Sequence, residues 1–156
     1  MTIWPTQAGA DGFYGNPRGR NGGPSWLWEV KSLVHLTPPF AMHYGGQPVS
    51  SFRIHRACAA SLGRVLAAIH DAAGRDQATL DAWGVSTFGG SYNFRLKRNS
   101  NTLSMHAYGC ALDLAPERFP MGRSKPTFCA PVLKAFADEG WVNLEHDRMH
   151  FQAARL

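Results

Sequence analysis

The longest periodic stretch of the sequence is SFRIHRACAASLGRVLAAIHDAA, which covers residues 51–73. Its apolar side chains recur every three or four residues and would share one face of a helix: Ile54, Cys58, Leu62, Val65 and Ile69. Ser50 or Ser51 can cap the start of this helix, and Gly74 can end it. The pattern therefore predicts one amphipathic helix across the whole stretch.

Shorter elements are predicted on both sides of this helix. Before it, Gly45-Gly46 between two short apolar runs is typical of a hairpin turn. After it, apolar spacing predicts helices at 77–83 and 130–139 and extended segments at 85–94, 110–114, 141–144 and 149–153. Helices lying outside clustered strands indicate a small α+β domain with a mostly antiparallel sheet flanked by helices.

The length of the chain, 156 residues, fits one compact domain, which we expect to cover 27–156. Residues 1–26 contain six glycines and three prolines, and they predict an irregular N-terminal arm. No apolar run approaches the ~20 residues that span a bilayer, so membrane insertion is not expected. The first residues show no basic or apolar signal region, which predicts synthesis in the cytoplasm.

The cysteine content and the net charge limit the classes of protein and partner that the sequence allows. The three cysteines form no CxxC pair, which argues against a disulfide framework. The formal net charge of +5 favours an anionic partner such as nucleic acid, a membrane or a bacterial wall. The basic residues are scattered and do not alternate with aromatic ones, which weighs against a nucleic-acid binder without removing that alternative. The chain is expected to act as a monomer.

A carboxylate stands on a predicted buried strand in the segment SMHAYGCALDL, residues 104–114. Asp113 would share one face of this strand with Ala111, while the other face is apolar. A lone buried charge is costly unless it is paired or binds a metal. His106 closes the polar loop just before the strand, and Gly109 allows a sharp turn or close packing.

A second polar segment is EHDRMHFQ, residues 145–152. If a strand begins at Met149, His150 and Gln152 face one way, and Asp147 lies in the preceding turn. Two histidines and one carboxylate form a three-ligand site with an open position, which is typical of catalytic zinc. A further carboxylate could take a proton from the bound water. A rival ligand pair is His146 with His150 on a helix, and spacing alone leaves both possibilities open.

These segments resemble the signature of the peptidase M15 family, zinc peptidases that act on the stem peptides of bacterial peptidoglycan. The family includes D-Ala-D-Ala carboxypeptidases, D-Ala-D-Ala dipeptidases and phage L-alanyl-D-glutamate endopeptidases. The five fixed places of its first motif, SxHxxGxAxD, are filled by Ser104, His106, Gly109, Ala111 and Asp113. Its second motif, a carboxylate three residues before a histidine, is filled by Asp147 and His150. The resemblance covers roughly residues 50–153.

The resemblance implies a set of roles and a fold. The zinc ligands would be His106, Asp113 and His150, and Asp147 would be the general base, with Glu145 as the next candidate. The run at 92–95 resembles the family's strand that carries a substrate-facing arginine, so Arg95 would polarise the scissile carbonyl, with Arg98 as the alternative. The implied fold is the small α+β domain shared by these peptidases and the Hedgehog signalling domain.

The implied partner is a peptidoglycan stem peptide, and the implied place of action is the bacterial cell wall. The missing export signal would suit a phage enzyme released with a holin or carried in the virion, and a bacterial source also fits. The aspartate at position 147, where the dipeptidase branch usually has glutamate, leans toward the phage endopeptidases. The resemblance leaves open which bond is cut. A zinc-binding module of the same fold without turnover is the alternative.

Overall fold

The computed structural model describes residues 3–156, and within them it contains five α-helices and eight β-strands. The helices are α1 (Ala10–Tyr14), α2 (Trp26–Ser32), α3 (Arg56–Ala72), α4 (Gln77–Trp83) and α5 (Ala130–Asp138). The strands are β1 (Leu33–Leu36), β2 (His43–Tyr44), β3 (Gln47–Pro48), β4 (Phe52–His55), β5 (Phe88–Gly90), β6 (Ala111–Leu114), β7 (Val142–Leu144) and β8 (Asp147–Gln152). Two 3-10 helices cover Gln7–Gly9 and Met105–Tyr108. The predicted α+β class is confirmed.

The main sheet has four antiparallel strands in the order β5-β6-β8-β7. Strands β6 and β8 lie in its centre, and their register places Asp113 opposite His150 and Ala111 opposite Gln152. Two smaller antiparallel pairs are β1 with β4 and β2 with β3. The turn predicted at Gly45-Gly46 is confirmed, because these glycines connect β2 to β3.

Helix α5 packs on one face of the main sheet. Phe136 of α5 stacks on Phe151 of β8 with ring centroids 3.8 Å apart. Leu112 pairs with Phe151 across the strands and is fully buried in the same core. Because side chains alternate along a strand, Asp113 and His150 project from the opposite face. The apolar side chains of β6 and β8 therefore pack the sheet against α5, and the polar side chains form a cluster on its other face.

The helix predicted from residue 51 begins later, at Arg56. Residues Phe52–His55 form β4 instead, with Phe52 and Ile54 buried and Arg53 exposed between them. This alternation has a period of two residues, and Ile54 matched the helical spacing only because it lies four residues before Cys58. Similarly, the extended segment predicted at 85–94 contains only the three-residue strand β5, which has a bulge at Gly89.

The N-terminal segment is more ordered than the predicted irregular arm. Met1 and Thr2 lie outside the described residues, but residues 7–14 form a 3-10 turn and α1. The hydroxyl of Tyr14 donates to the carbonyl of Ala153 at 2.6 Å. The amide of Gln7 donates to the carbonyl of Arg155, whose own amide donates to the carbonyl of Pro5, both at 2.8 Å. The division at residue 26 stays a prediction.

Within the described residues, none of the helices combines the length and the apolar character that crossing a bilayer requires.

His55 links the N-terminal segment to α3, and we expect it to make the stability of the fold sensitive to acid. Its Nδ1 accepts from the amide of Ala57 at 3.0 Å, and its Nε2 bonds the carbonyl of Tyr14 at 3.0 Å. Burial lowers the pKa of His55; the hydrogen bond to Tyr14 raises it and Arg56 lowers it further. Since an unfolded histidine titrates near pH 6.5, the unfolded chain binds more protons below that pH. The free energy of unfolding should therefore decrease as the pH falls below about 6.5.

The test compares urea unfolding of the wild type and His55→Asn at about pH 7.5 and about pH 5.5. Asparagine keeps a capping acceptor but does not titrate, so the variant should lose less stability between the two pH values. The other histidines are present in both proteins and cancel in the comparison. Equal losses would show that His55 does not contribute to the acid sensitivity.

Candidate metal centre

Three side chains from two distant parts of the chain meet on the polar face of the main sheet. The Oδ1 atom of Asp113 lies 3.1 Å from Nε2 of His106 and 3.1 Å from Nδ1 of His150. The two histidine nitrogens are 3.2 Å apart. These atoms form a group that could hold a metal ion. A triangle of this size fits an ion at a distance of about 2.0–2.2 Å from each atom, which is the usual zinc bond length.

The 3-10 helix before β6 delivers His106 in a fixed orientation. The Oγ atom of Ser104 accepts from the amide of His106 at 3.3 Å and caps the helix. The Nδ1 atom of His106 donates to the carbonyl of Ser91 at 2.6 Å. A histidine that donates one ring nitrogen in this way keeps the other as a lone-pair donor to a metal. The Nε2 atom of His106 is therefore free to act as a ligand.

Gly109 ends this 3-10 helix and confirms the predicted turn and close packing. Its φ of 67° lies in the left-handed region, where a side chain is strained. A Cβ atom at this position would lie 2.7 Å from Leu33 and 3.0 Å from the backbone nitrogen of His55. Any larger residue would therefore push the loop that carries His106 away from β1 and β4.

His150 reaches the cluster from β8 and is oriented by Gln152. The side chain of His150 is 7% exposed, and its Nε2 lies 2.9 Å from Oε1 of Gln152. The sequence predicted that Gln152 shares a strand face with His150, but not that its side chain bonds the imidazole. The only available signal was the two-residue spacing, which makes the side chains neighbours on one strand.

Electrostatics keep Asp113 ionised in the cluster. Burial raises the pKa of Asp113, but hydrogen bonds from the imidazoles of His106 and His150 lower it well below its usual range overall. The side chain is 16% exposed, so a carboxylate without a positive neighbour would be costly there. Protons on the imidazoles can supply that positive charge, and a bound cation can supply it at all three atoms.

The strand β8 begins at Asp147, two residues before the predicted start at Met149, so Asp147 belongs to the strand and not to the preceding turn, and it lies beside the cluster. The pKa of Asp147 is raised above its usual value, and burial is the largest cause. The positive charges of His150, His106 and Arg95 lower this pKa, and the negative charge of Asp113 raises it, so the net effect is still a rise. Within the described residues, its Oδ1 atom is buried and has no hydrogen-bond partner. A buried acceptor of this kind is costly unless water or a ligand reaches it.

A cavity of about 390 Å³ opens over this polar face. Asp113, Asp147 and both candidate arginines, Arg95 and Arg98, line it, together with Leu96, Met121 and Met149. The structure thus brings all the predicted site residues to one place. Both arginines line the cavity, so the structure does not decide between Arg95 and Arg98. Such a cavity can present a positive wall to a substrate beside the candidate metal ligands.

The rival ligand pair is wrong, because the segment that contains His150 is a strand and not a helix. His146 is exposed and lies outside the group of ligand atoms. Glu145, the reserve candidate for the base, is exposed as well. Cys110 is fully buried and its Sγ contacts the carbonyl of Met105 at 3.4 Å.

Two histidines and one aspartate of this small α+β domain form a group of three ligand atoms that could hold a metal ion, one ligand fewer than a closed structural zinc site has. A family model of the M15 peptidases, described as D-alanyl-D-alanine carboxypeptidase, matches residues 98–153. The match contains His106, Asp113, Asp147 and His150 and confirms the resemblance to M15 peptidases. This family suggests a hydrolase of the metallopeptidase type. No curated protein and no solved structure matches the chain, so the Hedgehog-like fold stays a prediction.

Proposed function

We propose that this protein is a zinc-dependent peptidase that hydrolyses an amide bond in the stem peptide of bacterial peptidoglycan. The observation that carries the proposal is the convergence of three ligand atoms within 3.2 Å of one another beside a cavity. The family match over the same residues supports the peptidase activity. In this proposal the ligands are His106, Asp113 and His150.

The hydrogen-bond partners of the two histidines favour a cation at this place. His106 donates its Nδ1 proton to the carbonyl of Ser91, and His150 donates its Nε2 proton to Oε1 of Gln152. Neutral imidazoles would then direct two lone pairs at the carboxylate of Asp113 from 3.1 Å. Three acceptors at this distance repel one another unless protons or a metal ion lie among them. A metal ion bound to the three atoms would remove this repulsion.

The chain's own residues can perform the remaining chemistry. Bound zinc would act as a Lewis acid and lower the pKa of a coordinated water. Asp147, whose Oδ1 has no partner within the described residues, accepts the proton of the attacking water and returns it to the leaving amine. Arg95, or Arg98 in its place, donates to the carbonyl oxygen as negative charge develops on it.

The proposed substrate accounts for the charge of the protein. Stem peptides carry free carboxylates, and the chain has a formal net charge of +5 and two arginines on the cavity wall. Long-range attraction of this sign increases the rate at which an anionic polymer is encountered. We place the activity at the bacterial cell wall, after release in the manner of a phage endolysin or as part of a virion, with the protein acting as a monomer.

The test is digestion of purified peptidoglycan by the full chain, with and without a chelator, followed by mass measurement of the products. We expect new amino termini that disappear with chelator and return when Zn²⁺ is added. The product masses distinguish cleavage between D-Ala and D-Ala from cleavage between L-Ala and D-Glu. Cleavage that persists in chelator would contradict the metal mechanism. Stoichiometric zinc without cleavage of any wall peptide would instead indicate a non-catalytic zinc-binding module.

A further inference from the structure

We infer that Gln152 is a positioning residue that holds His150 in its metal-binding form, an inference that rests on the proposed function. Gln152 is 1% exposed and projects from β8 beside His150. Both ends of its amide are used: Oε1 lies 2.9 Å from Nε2 of His150, and Nε2 lies 3.0 Å from the carbonyl of Ala154. A buried amide with both ends paired has one orientation only.

The direction of each hydrogen bond follows from the carbonyl of Ala154. That oxygen can only accept, so the end of Gln152 that faces it must be the NH₂ group. The other end, which faces His150, is therefore the amide oxygen, and it accepts a proton from Nε2 of the imidazole. A neutral imidazole protonated at Nε2 has its lone pair at Nδ1, which is the atom that faces Asp113 and His106.

The acceptor at the end of this chain of hydrogen bonds is itself fixed. The residue before Ala154 donates its amide to the carbonyl of Cys110 at 2.9 Å and accepts from the hydroxyl of Tyr14 at 2.6 Å. The residue after it, Arg155, exchanges backbone hydrogen bonds with Pro5 and Gln7. The N-terminal segment thereby immobilises the carbonyl that orients Gln152. Neither the glutamine nor the imidazole can rotate without breaking a buried hydrogen bond.

The two histidines differ in how they are held. His106 donates directly to a backbone carbonyl, that of Ser91, which substitution cannot remove. His150 depends on a side chain, so its orientation can be tested by changing one residue. Gln152→Met keeps the length of the side chain but leaves Nε2 of His150 without an acceptor. Gln152→Glu keeps an oxygen in front of the same nitrogen.

We expect Gln152→Met to bind Zn²⁺ about 10–100-fold more weakly than the wild type, which is the usual cost of losing a hydrogen bond to a metal-binding histidine. Gln152→Glu should stay within a few-fold of the wild type, since it still orients the imidazole. The measurement is the Zn²⁺ dissociation constant of each full-length protein, obtained by competition with a chromophoric chelator. Unfolding curves without metal establish that each variant is folded.

The matched control is Ser61→Ala, which removes a different buried hydrogen bond, the one from the indole of Trp141 at 3.0 Å. This variant should lose stability and keep the wild-type affinity for Zn²⁺. Equal affinities of Gln152→Met and the wild type would overturn the inference, as would equal losses in the Met and Glu variants. A wild type that fails to bind Zn²⁺ would overturn both this inference and the proposed function.

A measurement on the unaltered protein covers the case in which Gln152→Met does not fold. Imidazole ¹⁵N spectra of the wild type loaded with Zn²⁺ report which ring nitrogen of each histidine carries the proton. We expect the proton on Nε2 in His150 and on Nδ1 in His106, opposite tautomers in adjacent rings. A proton on Nδ1 of His150 would overturn the inference without any substitution.

Discussion

His150→Ala is expected to lose zinc and peptidoglycan hydrolysis together. The substitution removes one of the three atoms around the proposed ion and leaves the carboxylate of Asp113 with a single imidazole neighbour. Loss of a ligand should cost more than the roughly 10–100-fold in affinity that losing a ligand's hydrogen-bond partner costs. Because the metal supplies the Lewis acid, hydrolysis should fall to the uncatalysed background. Metal content after dialysis and product masses from digested peptidoglycan measure both effects.

The matched control for this variant is His146→Ala. His146 lies four residues earlier, is exposed, and stands outside the group of ligand atoms. It should therefore keep both the zinc and the activity of the wild type. Stoichiometric zinc in His150→Ala would refute the proposed ligand set, whatever happens to hydrolysis.

Asp147→Asn is expected to separate metal binding from catalysis. The amide has nearly the shape of the carboxylate and leaves His106, Asp113 and His150 unchanged, so zinc should remain bound. The amide cannot accept the proton of the attacking water, and a positioned general base contributes about 10²–10⁴-fold to the rate. Hydrolysis of peptidoglycan should fall by that factor while the metal content stays at the wild-type level.

The control for the base is Glu145→Gln, since Glu145 lies two residues away and is exposed. That variant should hydrolyse peptidoglycan at the wild-type rate. The reverse pattern, an active Asp147→Asn and an inactive Glu145→Gln, would transfer the proton-accepting role to Glu145. Loss of zinc from Asp147→Asn would show instead that Asp147 helps to hold the metal.

The polar strand face that carries the candidate site could be predicted from local rules, while the choice of ligand residues came from the resemblance to the family motifs. Alternation along a strand places Asp113 and His150 on the polar face whatever the rest of the fold does. Antiparallel pairing of β6 with β8 then needs only the apolar partners Leu112 and Phe151 to face the core. The glycine at position 109 indicated the turn that precedes the strand, and the structure shows both its left-handed backbone and its close contacts.

Other features depend on contacts between distant residues, which periodicity cannot register. Ile54 fits a helical spacing and a strand alternation equally well, and only its pairing with Val34 decides for the strand. Tyr14 and Ala153 are 139 residues apart, so their hydrogen bond left no local pattern that could reveal an ordered N-terminal segment. The contacts of Gln152 with His150 and Ala154 are local, but strand spacing does not show which end of the amide faces the imidazole.

The strands that carry the candidate ligands are distinct from the loop that shapes one wall of the cavity. Asp113 and His150 stand on adjacent strands enclosed by β5 and β7, so the backbone that carries them is held on both edges. The loop of residues 115–129 between β6 and α5 lies outside these four strands and contributes Met121 to the cavity wall. Insertions or exchanges in such a connection can reshape the cavity while the strands keep their register. A single scaffold of this design can accommodate different peptides during evolution without rebuilding its reactive centre.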